Sequence, residues 1–220
     1  MNKRMTATWI GLVLGIAVFA AFTPQAQATP IMIGFSGVVD SVDASLTSQF
    51  SVGDILTGTY TFESTTSARV GSTSTFAFYD ALTDISFSVG SYSASSTAAP
   101  EIQIDNDPGL PNHDRYGVLS RVSEGLTGSD VNGIPLNAFS FRLDDSTDSV
   151  FATALNLPGS VSLSDFDSTG FFLFFVDQSQ NLHLVSGHLN AVGPVPEPST
   201  LLLLGIGLGG LGVWRFRKRA

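Results

Sequence analysis

The chain contains no cysteine, and the long stretch between Arg4 and Arg215 contains no lysine and four arginines. The first absence excludes a disulfide framework, a thiol nucleophile and cysteine-ligated zinc. The second leaves Arg69, Arg115, Arg121 and Arg142 against 18 of the 19 acids, so residues 29–193 carry a net charge of about −14. Nucleic acid is excluded as a partner, because its phosphates demand a basic stripe that this segment cannot supply. A surface so acidic suits a soluble, self-repelling module that attracts divalent cations. Also missing are a Gly-x-Ser-x-Gly elbow and a His-Glu-x-x-His zinc motif, so the many serines read as strand and loop residues rather than nucleophiles.

The two apolar runs lie at the ends of the chain. Lys3 and Arg4 precede an apolar stretch over 9–22, followed by Pro24 and the small-x-small run Ala26-Gln27-Ala28. The stretch is shorter than the roughly 20 residues of a spanning helix and has the order of a secretory signal peptide. The expected cut follows Ala28, which makes 1–28 a signal peptide with a signal helix.

At the other end, Pro196-Glu197-Pro198 stands before an apolar run over 201–214 and the basic residues Arg215, Arg217, Lys218 and Arg219. Two prolines fix φ, remove two backbone donors and push their predecessors out of helical geometry, so the tripeptide is extended where the apolar run begins. A helix over 201–216 is about 24 Å long against a hydrocarbon core of about 30 Å, and five glycines weaken it. It is a marginal transmembrane helix with its basic end held in the cytoplasm, leaving the body of the protein outside the inner membrane.

With these three parts in order, the tail resembles the PEP-CTERM sorting signal of Gram-negative bacteria that make extracellular polysaccharide. The resemblance covers 194–220 and implies recognition by an exosortase, with Pro196, Glu197 and Pro198 as the sorting motif. It further implies a precursor held in the inner membrane and then passed to the cell surface or matrix. The pattern Phe35-Ser36-Gly37-Val38-Val39 followed by Gly58-Thr59-Tyr60-Thr61-Phe62 is similar to other ectodomains of this kind, and it fixes no activity.

Residues 29–193 suit one domain with its own core. Serine, threonine and glycine alternate there with aromatics, and no window has an apolar period of 3.6. The alternation predicts strands over 31–39, 55–62, 75–79, 84–89, 91–95, 101–104, 116–122, 138–143, 171–176 and 183–189. Val89-Gly90-Ser91-Tyr92 predicts a two-residue hairpin turn, and 177–181 a longer loop between the last two strands. The run Phe171-Phe172-Leu173-Phe174-Phe175-Val176 breaks the alternation and predicts a central strand covered on both faces. Long loops are expected at 64–74 and 105–114. The fold class is therefore all-β, an antiparallel β-sandwich or jelly roll.

Candidate chemistry is sparse. His183 and His188 differ by five, so on one strand they point to opposite faces and cannot share a metal. The loop at 105–114 gathers Asp105, Asn106, Asp107, Asn112 and Asp114, and calcium takes six to eight oxygens, which makes Asp105, Asp107 and Asp114 candidate calcium ligands. An Asx- and proline-driven turn explains the same residues without an ion. Asp144-Asp145-Ser146-Thr147-Asp148 and Asp165-Phe166-Asp167 are weaker versions of the pattern. No catalytic residue or other cofactor is predicted. The expected role is a non-enzymatic structural or interaction protein of the surface. A polysaccharide-binding module and a secreted glycan-active hydrolase are the alternatives: exposed aromatics on a sheet face favour the first, and carboxylates across a deep cleft the second.

Overall fold

A computed structural model of the protein describes residues 30–97, 100–107 and 113–195. The signal segment with Ala26 and Ala28, the Pro196-Glu197-Pro198 motif and the apolar segment 201–216 lie outside the described residues. Among the described residues no helix is long and apolar enough to cross a membrane.

The described chain is all-β. Its strands are β1 (Pro30–Val42), β2 (Ile55–Glu63), β3 (Phe76–Tyr79), β4 (Leu82–Val89), β5 (Tyr92–Ser96), β6 (Glu101–Asp107), β7 (His113–Arg121), β8 (Thr127–Gly128), β9 (Leu136–Asp145), β10 (Ser168–Val176) and β11 (Leu182–Pro194). Each expected strand is present, most of them longer than the alternation alone indicated. The extra strand β8 is two residues pairing with β5, too short to carry a periodic pattern. The expected loop at 105–114 is largely strand, because pairing continues through Asp105↔Arg115 and Asn106↔Asp114 to Asp107↔His113.

Strand order is β3-β6-β7-β9-β10-β11-β1-β2-β4-β5-β8, one continuous antiparallel sheet rather than two separate ones. The sheet curls until strands five places apart face each other. Phe87 of β4 stacks on Phe139 of β9 with centroids 4.0 Å apart, and Tyr92 of β5 meets the Phe175 ring of β10 edge-on. Phe35 of β1 fills the space between, against Tyr60, Phe139 and Phe141. One face of every long strand is thus buried in an aromatic core, and such ring pairs add about 0.5–1.5 kcal/mol each beyond the area they bury. Curling leaves edges only at β3 and β8, both short, which limits edge-to-edge pairing.

Local code explains the turns. Gly90 supplies a φ of +56° in the β4–β5 hairpin, where Val89 pairs with Tyr92. In the loop joining β10 to β11, the Asp177 carboxylate accepts N–H bonds from Ser179 and Asn181, each 2.8 Å. β10 is central, between β9 and β11, with Phe171, Leu173 and Phe175 fully buried. Its other face is only half covered: Phe172 and Phe174 stack along the strand, and the Arg142 guanidinium lies over the Phe172 ring at 5.3 Å.

Candidate functional site

The strand pair β1–β11 carries both ends of the described domain. β1 starts at Pro30, two residues beyond Ala28, and pairs Ile33 with Pro194 at its outer end. The Val195 N–H then donates to the Met32 carbonyl at 2.9 Å, so β1 holds the chain up to the residue before Pro196. The domain leaves no slack between its last sheet bond and the sorting tripeptide. Both expected processing points therefore flank neighbouring strands at one end of the sheet.

The candidate calcium ligands do not assemble as a set. Directly opposite residues of an antiparallel pair share a face, so Asp105 lies with Arg115 on one face while Asn106 and Asp114 lie on the other. Asp105 is 3.7 Å from Arg115 and accepts from the Gln103 amide at 3.0 Å. Asp114 is fully buried, and its Oδ2 accepts the Val150 and Phe151 N–H groups at 2.6 Å each. Asp105 and Asp114 thus point away from each other. The Asp107 side chain and Asn112 lie outside the described residues. Among the described residues no group of three or more His, Cys, Asp or Glu side chains is arranged to hold a metal.

The two strand histidines bind different carboxylates. His183 Nδ1 lies 2.8 Å from the Ser45 hydroxyl and 3.3 Å from Asp43, and its Nε2 lies 3.5 Å from Asp177. His188 Nδ1 lies 2.8 Å from Asp40. Phe175 faces His183 and Phe171 faces Gly187, so parity along β11 places the histidines on opposite faces, as their spacing requires.

Ion pairs lace the outer face of β6, β7 and β9, joining residues whose spacing in the chain carries no signal of the pairing. Glu101, 2% exposed, receives Arg69 at 2.7 Å and Arg121 at 2.9 Å, one on each carboxylate oxygen. Arg69 also pairs with Asp80 and lies over the Phe78 ring. Asp144 receives Arg115 at 2.6 Å and Arg142 at 3.2 Å. All four arginines of the domain are spent in this way, leaving the outer face of β1, β2, β4 and β5 without arginine and rich in hydroxyls.

That part of the outer face holds an open groove of about 680 Å³, floored by β1, β2, β4 and β5. Ser36, Thr57, Thr59, Ser86, Ser88, Ser93 and Ser95 line it. The hydroxyls are in register: Thr57 meets Ser88 at 3.0 Å and Thr59 meets Ser86 at 3.3 Å. Strand alternation produces this array, since Leu56, Tyr60 and Phe62 take the core face and the threonines must take the other. No carboxylate lines the groove. A second depression of about 520 Å³ is lined by Asp145, Asp165 and Asp167. There the Thr147 hydroxyl, with the N–H of Ser149 and of Thr147, draws the Asp145 pKa down to about 2.

Residues 194–219 match the family model of the PEP-CTERM protein-sorting motif. No curated protein and no solved structure matches the chain. The chain carries a PEP-CTERM signal, which implies exosortase processing and sorting to the cell surface.

Proposed function

We propose that the protein is an exosortase substrate, held in the inner membrane by its C-terminal segment and released as an acidic β domain to the surface or polysaccharide matrix. The domain acts there as a non-enzymatic structural or interaction module. The observation that carries this reading is the junction at Val195: the sheet ends where the sorting motif begins, so a cut near Pro196-Glu197-Pro198 frees an intact fold. A non-enzymatic role is supported by how the polar groups are used. Asp145 is held in its charged form and has no proton to give at neutral pH, where glycosidic general acid catalysis needs a raised pKa.

The hydroxyl array favours one more specific reading, contact with polysaccharide along the β1–β2–β4–β5 groove. Paired serine and threonine hydroxyls both donate and accept, which suits a polyhydroxyl chain. Stacking plays no part in it, since the two rings that line the groove, Phe35 and Phe87, are each only 4% exposed.

Intact mass of the protein recovered from the cell surface tests the main reading. The expected mass lacks both terminal segments, with the ends close to Thr29 and Val195. A full-length mass there overturns it. For the groove, Thr59→Val with Ser86→Ala is expected to weaken retention of the protein by its own matrix polysaccharide, and unchanged retention excludes that surface.

A further inference from the structure

We propose that Asp114 and Asp148 form a divalent-cation site of the calcium type that pins the turn after β9 to β7. The turn is built around a neighbouring carboxylate: Asp145 Oδ1 accepts from the Thr147 N–H and hydroxyl, and Oδ2 from the Ser149 N–H and hydroxyl. This wrapping places Asp148 at a φ of +55° and directs its carboxyl back toward Asp114. Asp114 is 0% exposed; its Oδ2 is occupied by the Val150 and Phe151 N–H groups, while its Oδ1 has no partner. The Oδ1 of Asp148 is likewise buried and unpartnered.

Two carboxylates with buried, unpartnered oxygens beside each other repel, and something positive must lie between them. No arginine or histidine among the described residues pairs with either. Arg115, the neighbour of Asp114 in sequence, points to the opposite sheet face toward Asp105 and Asp144. Asp145, the cross-strand partner of Asp114, adds a third negative charge. Calcium accepts carboxylate, backbone and water oxygens in flexible geometry, and a site with two carboxylates falls in the weak class of extracellular modules, with Kd of about 0.1–1 mM.

Thermal unfolding of the full chain in detergent, with and without CaCl2 at matched ionic strength, tests the site. About 10 mM calcium is expected to raise Tm by about 4 °C. The Asp148→Asn variant is expected to fold without calcium, since asparagine tolerates positive φ and its amide donates to Asp114 Oδ1, and to lose the calcium response. Three results overturn the site. The first is no calcium shift in the parent chain. The second is a shift that survives in Asp148→Asn, which places the ion elsewhere. The third is stabilisation by acid alone, with no response to calcium, which makes a shared proton the positive element.

Discussion

The hydroxyls of Tyr60 on β2 and Tyr116 on β7 meet at 3.0 Å inside the core, although the two strands stand five places apart in the sheet. The bond exists because the sheet curls, and it fixes how far. Removing one hydroxyl strands the other in an apolar site. Tyr60→Phe and Tyr116→Phe are therefore each expected to cost about 1–2 kcal/mol, and the double variant less than their sum. Denaturant unfolding of the four chains of this cycle measures the coupling; strict additivity would show that the curl brings no bond.

The same burial makes a pH prediction. Burial raises the pKa of Tyr60, Tyr79 and Tyr116, and burial with Asp130 pushes Tyr92 up to about 12. These are all four tyrosines of the chain. A phenol whose folded pKa lies above its unfolded value of about 10 stabilises the fold fully below that pH, and the contribution is lost as pH rises toward the folded value. Stability is expected to hold to about pH 9 and decline above pH 10, with phenolate absorbance appearing together with unfolding. Phenolate formation in the folded protein near pH 10 would contradict it.

Gly187 tests the β1–β11 register. A Cβ there would lie 2.0 Å from the Val38 carbonyl oxygen and 2.5 Å from the Phe171 ring, whereas a Cβ at Gly193 on the same strand meets nothing within 4 Å. Neither backbone nor a fully buried ring can yield cheaply. Gly187→Ala is expected to destabilise by about 2–3 kcal/mol, and Gly193→Ala to stay within about 0.5 kcal/mol. Equal effects in chemical denaturation would show that the register differs.

His183 supplies a second titration. Burial works against its charged form, but the Asp43 and Asp177 carboxylates outweigh that and raise its pKa. Asp177 itself is drawn down to about 2, chiefly by the Asn181 amide and N–H. A raised histidine pKa stabilises the fold below about pH 6.5 and loses that contribution as pH rises through the folded value. A histidine NMR titration is expected to place His183 above 6.5 and to move it down in Asp177→Asn; an unmoved midpoint would remove Asp177 from the interaction.

What the sequence disclosed was local. The hairpin at Gly90 and the alternation of Leu56, Tyr60 and Phe62 with threonines are written in adjacent residues, and both formed as expected. What it hid depends on pairing at a distance. Asp105 and Asp114 look like neighbours in one loop, yet the register of β6 on β7 sends them to opposite faces, and Asp114 finds Asp148 instead. Glu101 gives no sign that Arg69 and Arg121 converge on it, since 32 and 20 residues separate them. The alternation break predicts cover for Phe172 and Phe174 on the outer face of β10, but among the described residues no layer packs there; Arg142 lies across Phe172 instead. The sequence records which strand is central better than what lies above it.

The junction at Val195 separates sorting from folding, so it allows a clean test of the tail. Because the Met32 carbonyl takes the Val195 N–H, the last sheet bond among the described residues precedes Pro196, and replacing Pro196, Glu197 and Pro198 with alanine leaves every described sheet bond in place. The substitution does restore two backbone N–H donors, frees Val195 and the position of Glu197 for helical geometry and deletes the one charge of the tripeptide. An exosortase that reads an extended, acidic tripeptide then has no substrate. The expected result is an uncleaved, membrane-bound precursor whose thermal unfolding matches that of the parent. A precursor with lowered Tm would mean that the tripeptide contributes to the fold. A mature product of unchanged mass would mean that processing does not read Pro-Glu-Pro.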